Sequence, residues 1–186
     1  MSVIFQPIYT IYKQNRLQTE KVTRSEYNKN IKSWSGNVLR FAVWNCGDRM
    51  RGEDAMQEAF AKLWEHRDDV PVEKGLGYLL TVTHCYLVDI MRHDAVVARV
   101  HQEIAETAVV SEETKDNFGL SDEMLNALNQ LPEVQRSIIQ LRDVDGYSYK
   151  EIAQMLEISD QQVQVYLFRA RTNMKKYLTK KMNSNK

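Results

Sequence analysis

The clearest candidates for chemistry lie near the carboxyl end, where amide, arginine and apolar side chains share one side of a helical pattern. They are Gln161, Gln162, Val165, Phe168 and Arg169. Glutamine can pair with adenine through two hydrogen bonds, arginine can do the same with guanine, and apolar groups can contact the thymine methyl. These residue types at this spacing favour a helix that contacts the edges of DNA bases.

The elements that would position these residues are two short helices with matching start signals. The capping boxes Ser148-Tyr-Lys-Glu151 and Ser159-Asp-Gln-Gln162 follow one another closely. In each, the serine hydroxyl can accept from a backbone N–H three residues on, while the Glu or Gln side chain reaches back to the serine N–H. A helix-turn-helix is therefore predicted, with its second helix suited to the major groove. Two helices at a sharp turn also occur in all-α proteins that never contact DNA.

The end of the chain is strongly basic, although the whole chain is neutral. Among 186 residues there are 25 Lys and Arg and 25 Asp and Glu, and residues 169–186 hold seven basic residues and no acidic one. The net charge is +3 over residues 1–24, −2 over 25–95, −3 over 96–120 and +2 over 121–186. This asymmetry favours a polyanionic partner, with a solubilising tail as the alternative.

Helical periodicity also precedes the acidic segment. An amphipathic helix is predicted over residues 24–46, a second from Gly52 to before Asp68, and a third from about Tyr78 to His93. The expected fold is all-α, with two small helical domains joined by a flexible acidic linker, the C-terminal one a helix-turn-helix. The expected parts are an N-terminal extension at 1–23, a helical domain at 24–95, the linker at 96–120, the helix-turn-helix domain at 121–180 and a basic tail at 181–186.

Other classes of function find no support in the sequence. No apolar run approaches the roughly 20 residues of a membrane span, and the first residues lack the layout of a signal peptide, so a cytoplasmic protein without direct membrane insertion is expected. Cys46 and Cys85 lie far apart without a second Cys/His pair, and the four histidines show no ligand spacing. Without a phosphate loop or a catalytic motif, we expect no enzyme activity, metal or cofactor.

Four motifs carry a family resemblance. Three are Leu131-Pro-Glu-Val-Gln-Arg136, Asp145-Gly-Tyr-Ser-Tyr-Lys-Glu-Ile-Ala153 and Phe168-Arg-Ala-Arg171, and the fourth is Asp54-Ala-Met-Gln-Glu-Ala-Phe-Ala-Lys-Leu-Trp64. The first three resemble region 4 of the extracytoplasmic-function sigma factors of the sigma-70 family, and the fourth looks like region 2 of that family. The resemblance covers about residues 24–95 and 121–180.

The resemblance implies that the region-2-like helix binds the beta-prime clamp helices of core RNA polymerase, while the beta flap is a further expected contact. The residues expected on the polymerase side are Asp54, Gln57, Glu58, Ala61 and Trp64. An acidic and amide stripe suits a basic coiled-coil partner. A merely solvated face is the alternative for the stripe, and a place in the core is the alternative for Trp64.

The resemblance also implies that the third helix and the loop before it read the promoter −10 element, with a base held outside the stack. The candidates are Lys74, Tyr78, Thr81, Thr83, His84, Cys85 and Arg92. His84-Cys85 stands where an Arg-Asn pair is usual in the family, so a different −10 preference is implied. A structural role for His84 is the alternative.

For the −35 element, the residues expected to contact DNA lie on the second helix of the helix-turn-helix. They are Ser159, Gln161, Gln162, Gln164, Val165, Phe168, Arg169, Arg171 and Lys175. Arg171 and Lys175 are expected to meet phosphates. Gln164 and Tyr166 replace the Lys or Arg that is frequent in the family, which implies a different −35 preference.

The leading hypothesis from the sequence is a sigma factor that binds core polymerase, recognises −35 and −10 promoter elements and promotes DNA melting. The resemblance further implies an anti-sigma factor as a partner. The main alternative is a helix-turn-helix regulator that acts without core polymerase, and a third is an all-α adaptor that binds only proteins.

Overall fold

The computed structural model describes residues 23–101 and 121–184, which form seven α-helices and no β-strand. The first domain comprises α1 (Arg24–Cys46), α2 (Arg49–Glu65) and α3 (Gly75–His101), with a 3₁₀ turn at Val72–Lys74. The second comprises α4 (Asp122–Asn129), α5 (Glu133–Ile139), α6 (Tyr149–Leu156) and α7 (Asp160–Ser184), with a π-helical turn at Gln140–Val144. The predicted all-α class is confirmed. The predicted N-terminal extension to residue 22, and the part of the predicted linker from 102 to 120, lie outside the described residues.

The start of α2 is set by a local cap and by close helix packing. Asp48 accepts a hydrogen bond from the backbone N–H of Arg51 at 2.9 Å, so α2 begins at Arg49 rather than at the predicted Gly52. Gly52 instead lies against α1, where an added Cβ would come within 2.7 Å of Val43 Cγ2. The glycine therefore allows the two helices to approach each other.

Helix α3 is longer than the predicted Tyr78–His93. It begins at Gly75, which lies against the ring of Trp34 so closely that a Cβ would come within 2.6 Å of it. It continues to His101, six residues into the segment predicted as linker. The stretch from Ala95 contains no Gly or Pro to end a helix, and alanine and arginine favour the helical state.

The two predicted capping boxes are present. Ser148 and Glu151 cap α6 reciprocally at 2.8 and 3.3 Å, and Ser159 and Gln162 do the same for α7 at 2.8 and 3.2 Å. Between the helices the chain turns at Glu157, whose φ of 54° is left-handed and closes α6. The helix-turn-helix is thus built by local hydrogen bonds at both helix starts.

The two domains pack on each other, which the sequence did not predict. Helix α3 lies against α6, and α1 lies against α5. Buried residues of both domains, including Phe41, Leu79, Ile138 and Ile152, belong to one continuous hydrophobic cluster. The structure therefore has a closed arrangement in which parts of the first domain are covered by the second.

Candidate nucleic-acid and polymerase interfaces

The outward side of α7 is an exposed, mixed amide, apolar and basic surface. Its inward residues Val163, Leu167 and Ala170 are buried against the rest of the second domain. On the outward side Phe168 is 71% exposed and Val165 is 45% exposed, so two large apolar side chains meet solvent on the same helix. All nine predicted −35 residues are exposed, and five of them form the outward side of α7, namely Gln161, Gln164, Val165, Phe168 and Arg169.

Two other predicted −35 residues are engaged at the start of α7. The Gln162 side-chain oxygen accepts a hydrogen bond from the Ser159 backbone N–H, and the Ser159 hydroxyl accepts from the Gln162 N–H. Pairing of Gln162 with adenine N6 and N7 through two hydrogen bonds would therefore require this cap to open. In the closed structure the main role of both side chains is to start the helix.

Arg171 is also occupied within the protein. Its guanidinium donates to both carboxylate oxygens of Asp143, with Nε 3.1 Å from Oδ2. The Asp143 carboxylate raises the pKa of Arg171. Lys175 is exposed nearby, beside an apolar groove of about 480 Å³ between α4, α5 and α7. The two predicted phosphate contacts therefore differ in availability. Lys175 is exposed, whereas Arg171 would have to leave Asp143 before it could bind a phosphate.

The predicted polymerase stripe is exposed along α2. Asp54, Gln57 and Ala61 are exposed, and Glu58 is half-buried with its carboxylate 3.9 Å from the Lys62 ammonium. The second domain does not cover these side chains. The stripe is therefore accessible to a partner in the closed arrangement.

Trp64, the last member of the predicted stripe, lies at the edge between surface and core. Its side chain is 37% exposed, the Arg67 guanidinium lies 4.5 Å from the ring centroid, and the Tyr27 ring lies 4.9 Å away. One side of the indole packs and the other meets solvent, and the polymerase contact of Trp64 stays a prediction.

The predicted −10 residues do not form one surface in this structure. Lys74 and Arg92 are exposed, whereas Tyr78, Thr81 and Thr83 are at most 2% exposed. The Thr81 hydroxyl donates to the Gly77 carbonyl at 2.9 Å, and the Thr83 hydroxyl donates to the Leu79 carbonyl at 2.8 Å. This corrects the prediction for the buried three, because their polar groups are shielded from any external ligand in the closed arrangement.

His84 and Cys85 are buried where the two domains meet. His84 Nδ1 lies 3.3 Å from the Ser137 hydroxyl of α5, and burial, with a smaller effect of Arg92, lowers the pKa of His84 to about 4. Burial, with Glu157 at the end of α6 as the next cause, raises the pKa of Cys85 to about 12. His84 and Cys85 are therefore inaccessible in the closed arrangement, and their contact with DNA stays a prediction that requires the two domains to separate.

Four residues that contact His84 or its neighbours were missed from the sequence, namely Asn45, Arg136, Ser137 and Gln140. The contacting residues of the two domains are 91 to 95 positions apart in the sequence, so no local pattern pairs them. The only sequence signal is that polar Asn45 and Gln140 interrupt otherwise apolar helix faces.

Among residues 23–101 and 121–184, no cluster of three His, Cys, Asp or Glu side chains has a geometry that could hold a metal ion. Over the same part of the chain, every helix is too short or too polar to span a bilayer.

Comparison with known proteins agrees with this geometry. The family model "Sigma-70, region 4" matches residues 121–174, the part that contains the helix-turn-helix. The ECF RNA polymerase sigma factor SigK of Mycolicibacterium vanbaalenii is 29% identical over 111 residues, which are 56% of this chain and 57% of SigK. The ECF RNA polymerase sigma factor SigM of Bacillus subtilis is 22% identical over 81% of this chain and 93% of SigM. The match to the first of these relatives thus spans less than two thirds of its length.

Solved structures share the fold of most of the chain. The sigma factor RpoE of Bartonella quintana, in complex with the anti-sigma factor NepR, has a TM-score of 0.69 at 20% identity, over 83% of this chain and 97% of that chain. CnrH in complex with the cytosolic domain of CnrY has a TM-score of 0.60 at 16% identity, over 93% of this chain and 96% of that chain.

Residues 121–174 match the sigma-70 region 4 model, and a three-helix domain precedes them. The relatives make the likeness more specific, because the chain is similar to extracytoplasmic-function sigma factors of the sigma-70 family.

Proposed function

We propose that the chain acts in the cytoplasm as a non-enzymatic sigma subunit that binds core RNA polymerase, recognises −35 and −10 promoter elements and promotes DNA melting. The observation that carries this proposal is the exposed outward side of α7 within the region-4-like domain, with Phe168 at 71% and Val165 at 45% exposure. A solvent-facing apolar and amide surface at the start of a recognition helix suits base edges in the major groove.

The −35 element would be read by five exposed residues on the outward side of α7, namely Gln161, Gln164, Val165, Phe168 and Arg169. Arg169 supplies a fork of donors for guanine, and Gln161 and Gln164 supply amides for adenine. Phe168 and Val165 provide apolar contacts to thymine methyl groups. Lys175, and Arg171 once it leaves Asp143, would contact phosphates and make the affinity dependent on salt.

Core polymerase would bind the exposed stripe of α2, where Asp54, Gln57 and Ala61 face solvent. The carboxylates of Asp54 and Glu58 suit the basic coiled coil expected in the beta-prime clamp. The beta flap is the proposed contact of the second domain.

The −10 element would be read by the first domain after the two domains separate. Lys74 and Arg92 are accessible already, whereas His84 and Cys85 become accessible only when α5 and α6 leave α3. An extruded base would then meet the freed surface of α3.

An anti-sigma factor is the proposed negative partner. Two solved structures with the same fold are complexes, one with the anti-sigma factor NepR and one with the cytosolic domain of CnrY. That similarity supports a two-domain surface on which such a protein could act here.

Transcription by core RNA polymerase reconstituted with the purified chain tests the proposal on a pool of genomic fragments. We expect defined start sites and a stable complex of the chain with core enzyme. Arg169→Ala should weaken promoter binding about tenfold to a hundredfold with unchanged core binding, because one bidentate base contact is lost. Lys32→Ala, which removes an exposed charge from α1, is the matched control and should change neither.

Specific DNA binding by the chain alone, without core binding or new start sites, would instead favour a helix-turn-helix regulator. If Arg169→Ala loses core binding as well as promoter binding, the substitution disturbs the fold rather than a single base contact.

A further inference from the structure

The exposed stripe of α2 is longer than the predicted polymerase contact, because Met50 continues it toward the start of the helix. Met50 is 70% exposed, and Trp64 at the other end is 37% exposed. Positions 50, 54, 57, 61 and 64 follow one another in alternating steps of four and three residues, the spacing that places side chains in one row along a helix. We call this row, together with Glu58, the extended stripe. At 1.5 Å per residue it is about 21 Å long.

The extended stripe is acidic between its two apolar ends. Residues 54–69 contain five acidic and two basic residues, a net charge of −3. Asp54 is exposed, and the Lys62 ammonium is shared between the carboxylates of Glu58 at 3.9 Å and Glu65 at 2.7 Å. Because one ammonium serves two carboxylates, the stripe keeps an excess of negative charge. A partner that fits it is basic and brings apolar side chains for the two ends.

A segment with that composition precedes α1 in this chain. Residues 1–22 contain three basic residues and one acidic residue, a net charge of +2. All four charges lie at positions 13–21, whereas residues 3–12 are uncharged and include three isoleucines, a phenylalanine and two tyrosines. The segment therefore complements the extended stripe both in the sign of its charge and in its apolar content.

The segment joins the described chain beside the Trp64 end of the extended stripe. The Tyr27 backbone N–H donates to the carbonyl of Thr23, the first described residue, at 2.8 Å. The rings of Tyr27 and Trp64 have centroids 4.9 Å apart, and the Tyr27 hydroxyl donates to the Phe60 carbonyl at 2.8 Å. Residues 1–22 would span about 33 Å as a helix and about 70 Å when extended. In either form they are long enough to cover a row of about 21 Å.

A second copy of the chain fits the extended stripe less well than residues 1–22. The stripes of two copies would bring equal negative charges together, whereas the segment has the opposite charge and a high effective concentration through its link to α1. We propose that residues 1–22 dock on the extended stripe in the free chain, with their basic residues at Asp54 and Glu58 and residues 3–12 toward Met50.

The docked segment would compete with core RNA polymerase, because the stripe of α2 is also the proposed polymerase contact. This competition rests on the proposed function, whereas the docking itself does not.

Alkylation of a cysteine placed in the extended stripe measures the docking in the full chain. Ala61→Cys puts a thiol at an exposed position in the middle of the row, and Cys46→Ser removes the half-buried native thiol. Peptide mass spectrometry reads the modification by N-ethylmaleimide at each site, so the buried Cys85 serves as an internal reference. We expect position 61 to react about tenfold more slowly than a cysteine placed at Lys32, an exposed position of α1.

Reversal of the segment's charge should release it from the stripe. Lys13→Glu, Arg16→Glu and Lys21→Glu together change its net charge from +2 to −4. Alkylation at position 61 should become about tenfold faster, while Cys85 stays slow. Equal rates at position 61 with and without the three substitutions would overturn the docking. Faster reaction at both thiols would assign the effect to unfolding and would overturn it as well.

The matched control reverses charge on α1 instead of in the segment. Lys29→Glu with Lys32→Glu changes two exposed lysines and should leave the rate at position 61 unchanged. Dilution of the chain by about a hundredfold should also leave the rate unchanged, because the contact lies within one chain. Protection that weakens on dilution would assign the stripe to a second copy and would overturn the proposal.

Titration with core RNA polymerase tests the competition, with complex formation followed by gel filtration. The three substitutions in the segment should lower the apparent Kd about tenfold, because the stripe is then free nearly all the time instead of about a tenth of it. The Lys29→Glu, Lys32→Glu chain should bind like the parent. Faster alkylation with an unchanged Kd would overturn the competition. Absence of any complex would count against the proposed function and leave the alkylation result standing.

Discussion

At the scale of single residues, His84 couples proton binding to the closed arrangement. Its burial and the nearby Arg92 guanidinium lower the pKa to about 4, whereas an exposed histidine titrates near 6.5. The Ser137 hydroxyl can accept from Nδ1–H in either protonation state, so burial of the ring, and not this hydrogen bond, is the main cause that disfavours the charged form. The closed form therefore binds fewer protons than the open or unfolded form between these two pKa values.

Closed-state stability should therefore be fully present above the open-state pKa of His84 and should be lost as pH falls through the range from about 6.5 to about 4. Between about pH 7.5 and about pH 5.5 the loss attributable to His84 is about 1 kcal/mol. Urea unfolding followed by circular dichroism measures it. His84→Asn, which keeps a donor near Ser137 without a titrating ring, should lose about 1 kcal/mol less over the same range. An identical pH dependence in both chains would contradict this role.

The exposure of individual α7 residues was predictable, because helical periodicity alone separates the buried Val163 and Leu167 from the exposed Val165 and Phe168. The hydrogen-bond partner of Arg171 was not predictable. Gln162 serves its own helix cap, which the capping-box pattern did imply, whereas Arg171 pairs with Asp143 on the far side of the helix-turn-helix. A partner that lies outside the local helix leaves no trace in the spacing of one helix.

At the scale of helices and turns, the packing of α1 on α2 depends on the absence of a side chain at Gly52. A Cβ there would come within 2.7 Å of Val43 Cγ2 and 3.2 Å of the Val43 backbone nitrogen. The second contact is with the backbone, so it cannot be relieved by a rotamer change alone. The two helices would have to move apart.

Gly52→Ala should accordingly lower the free energy of unfolding by about 1–3 kcal/mol. Gly36→Ala is the matched control, since Gly36 lies within α1 and a Cβ there meets nothing within 4 Å. It should raise the stability by about 0.5–1 kcal/mol, because alanine favours the helix. Thermal denaturation of both variants checks the opposite signs, and stabilisation by Gly52→Ala would show that the helix pair has room to spare.

Helix starts were the most predictable elements, since a cap is a local interaction of three or four residues. Ser121, Ser148 and Ser159 each begin a helix as their spacing predicts. The end of α3 was less predictable, because the stretch after His93 lacks both an amphipathic stripe and a helix breaker. Burial of Thr81 and Thr83 was not predictable either. Their hydroxyls donate to carbonyls of their own helix, but from the sequence alone a threonine is assigned to the polar surface.

At the scale of the whole molecule, zero net charge results because the acidic residues 25–120 are balanced by net positive charge in residues 1–24 and 121–186. The acidic groups of α2 and the basic groups of α7 remain accessible in the closed arrangement. The sequence predicted that division, but it did not predict that the domains would close on each other. Closure depends on Asn45, Ser137 and Gln140, whose polar side chains would ordinarily be assigned to the surface.

The buried hydrogen bonds between the two domains should also couple their unfolding. While the domains are closed, loss of either domain exposes the buried polar groups of the other, so calorimetry of the parent chain should show one transition. Ser137→Ala removes the hydroxyl that joins Asn45 Oδ1 to His84 Nδ1 and leaves both atoms unsatisfied on closure, at a cost of about 1–3 kcal/mol for each. The variant should therefore unfold in two transitions, one for each domain.

Ser33→Ala is the control for this effect, since the exposed Ser33 hydroxyl bonds only within α1, to the Asn30 carbonyl at 3.3 Å. It should keep the single transition of the parent. Two transitions already present in the parent chain would show that these hydrogen bonds contribute too little to bind the domains together. A single transition retained by Ser137→Ala would mean that apolar packing of α3 on α6 couples them without these hydrogen bonds.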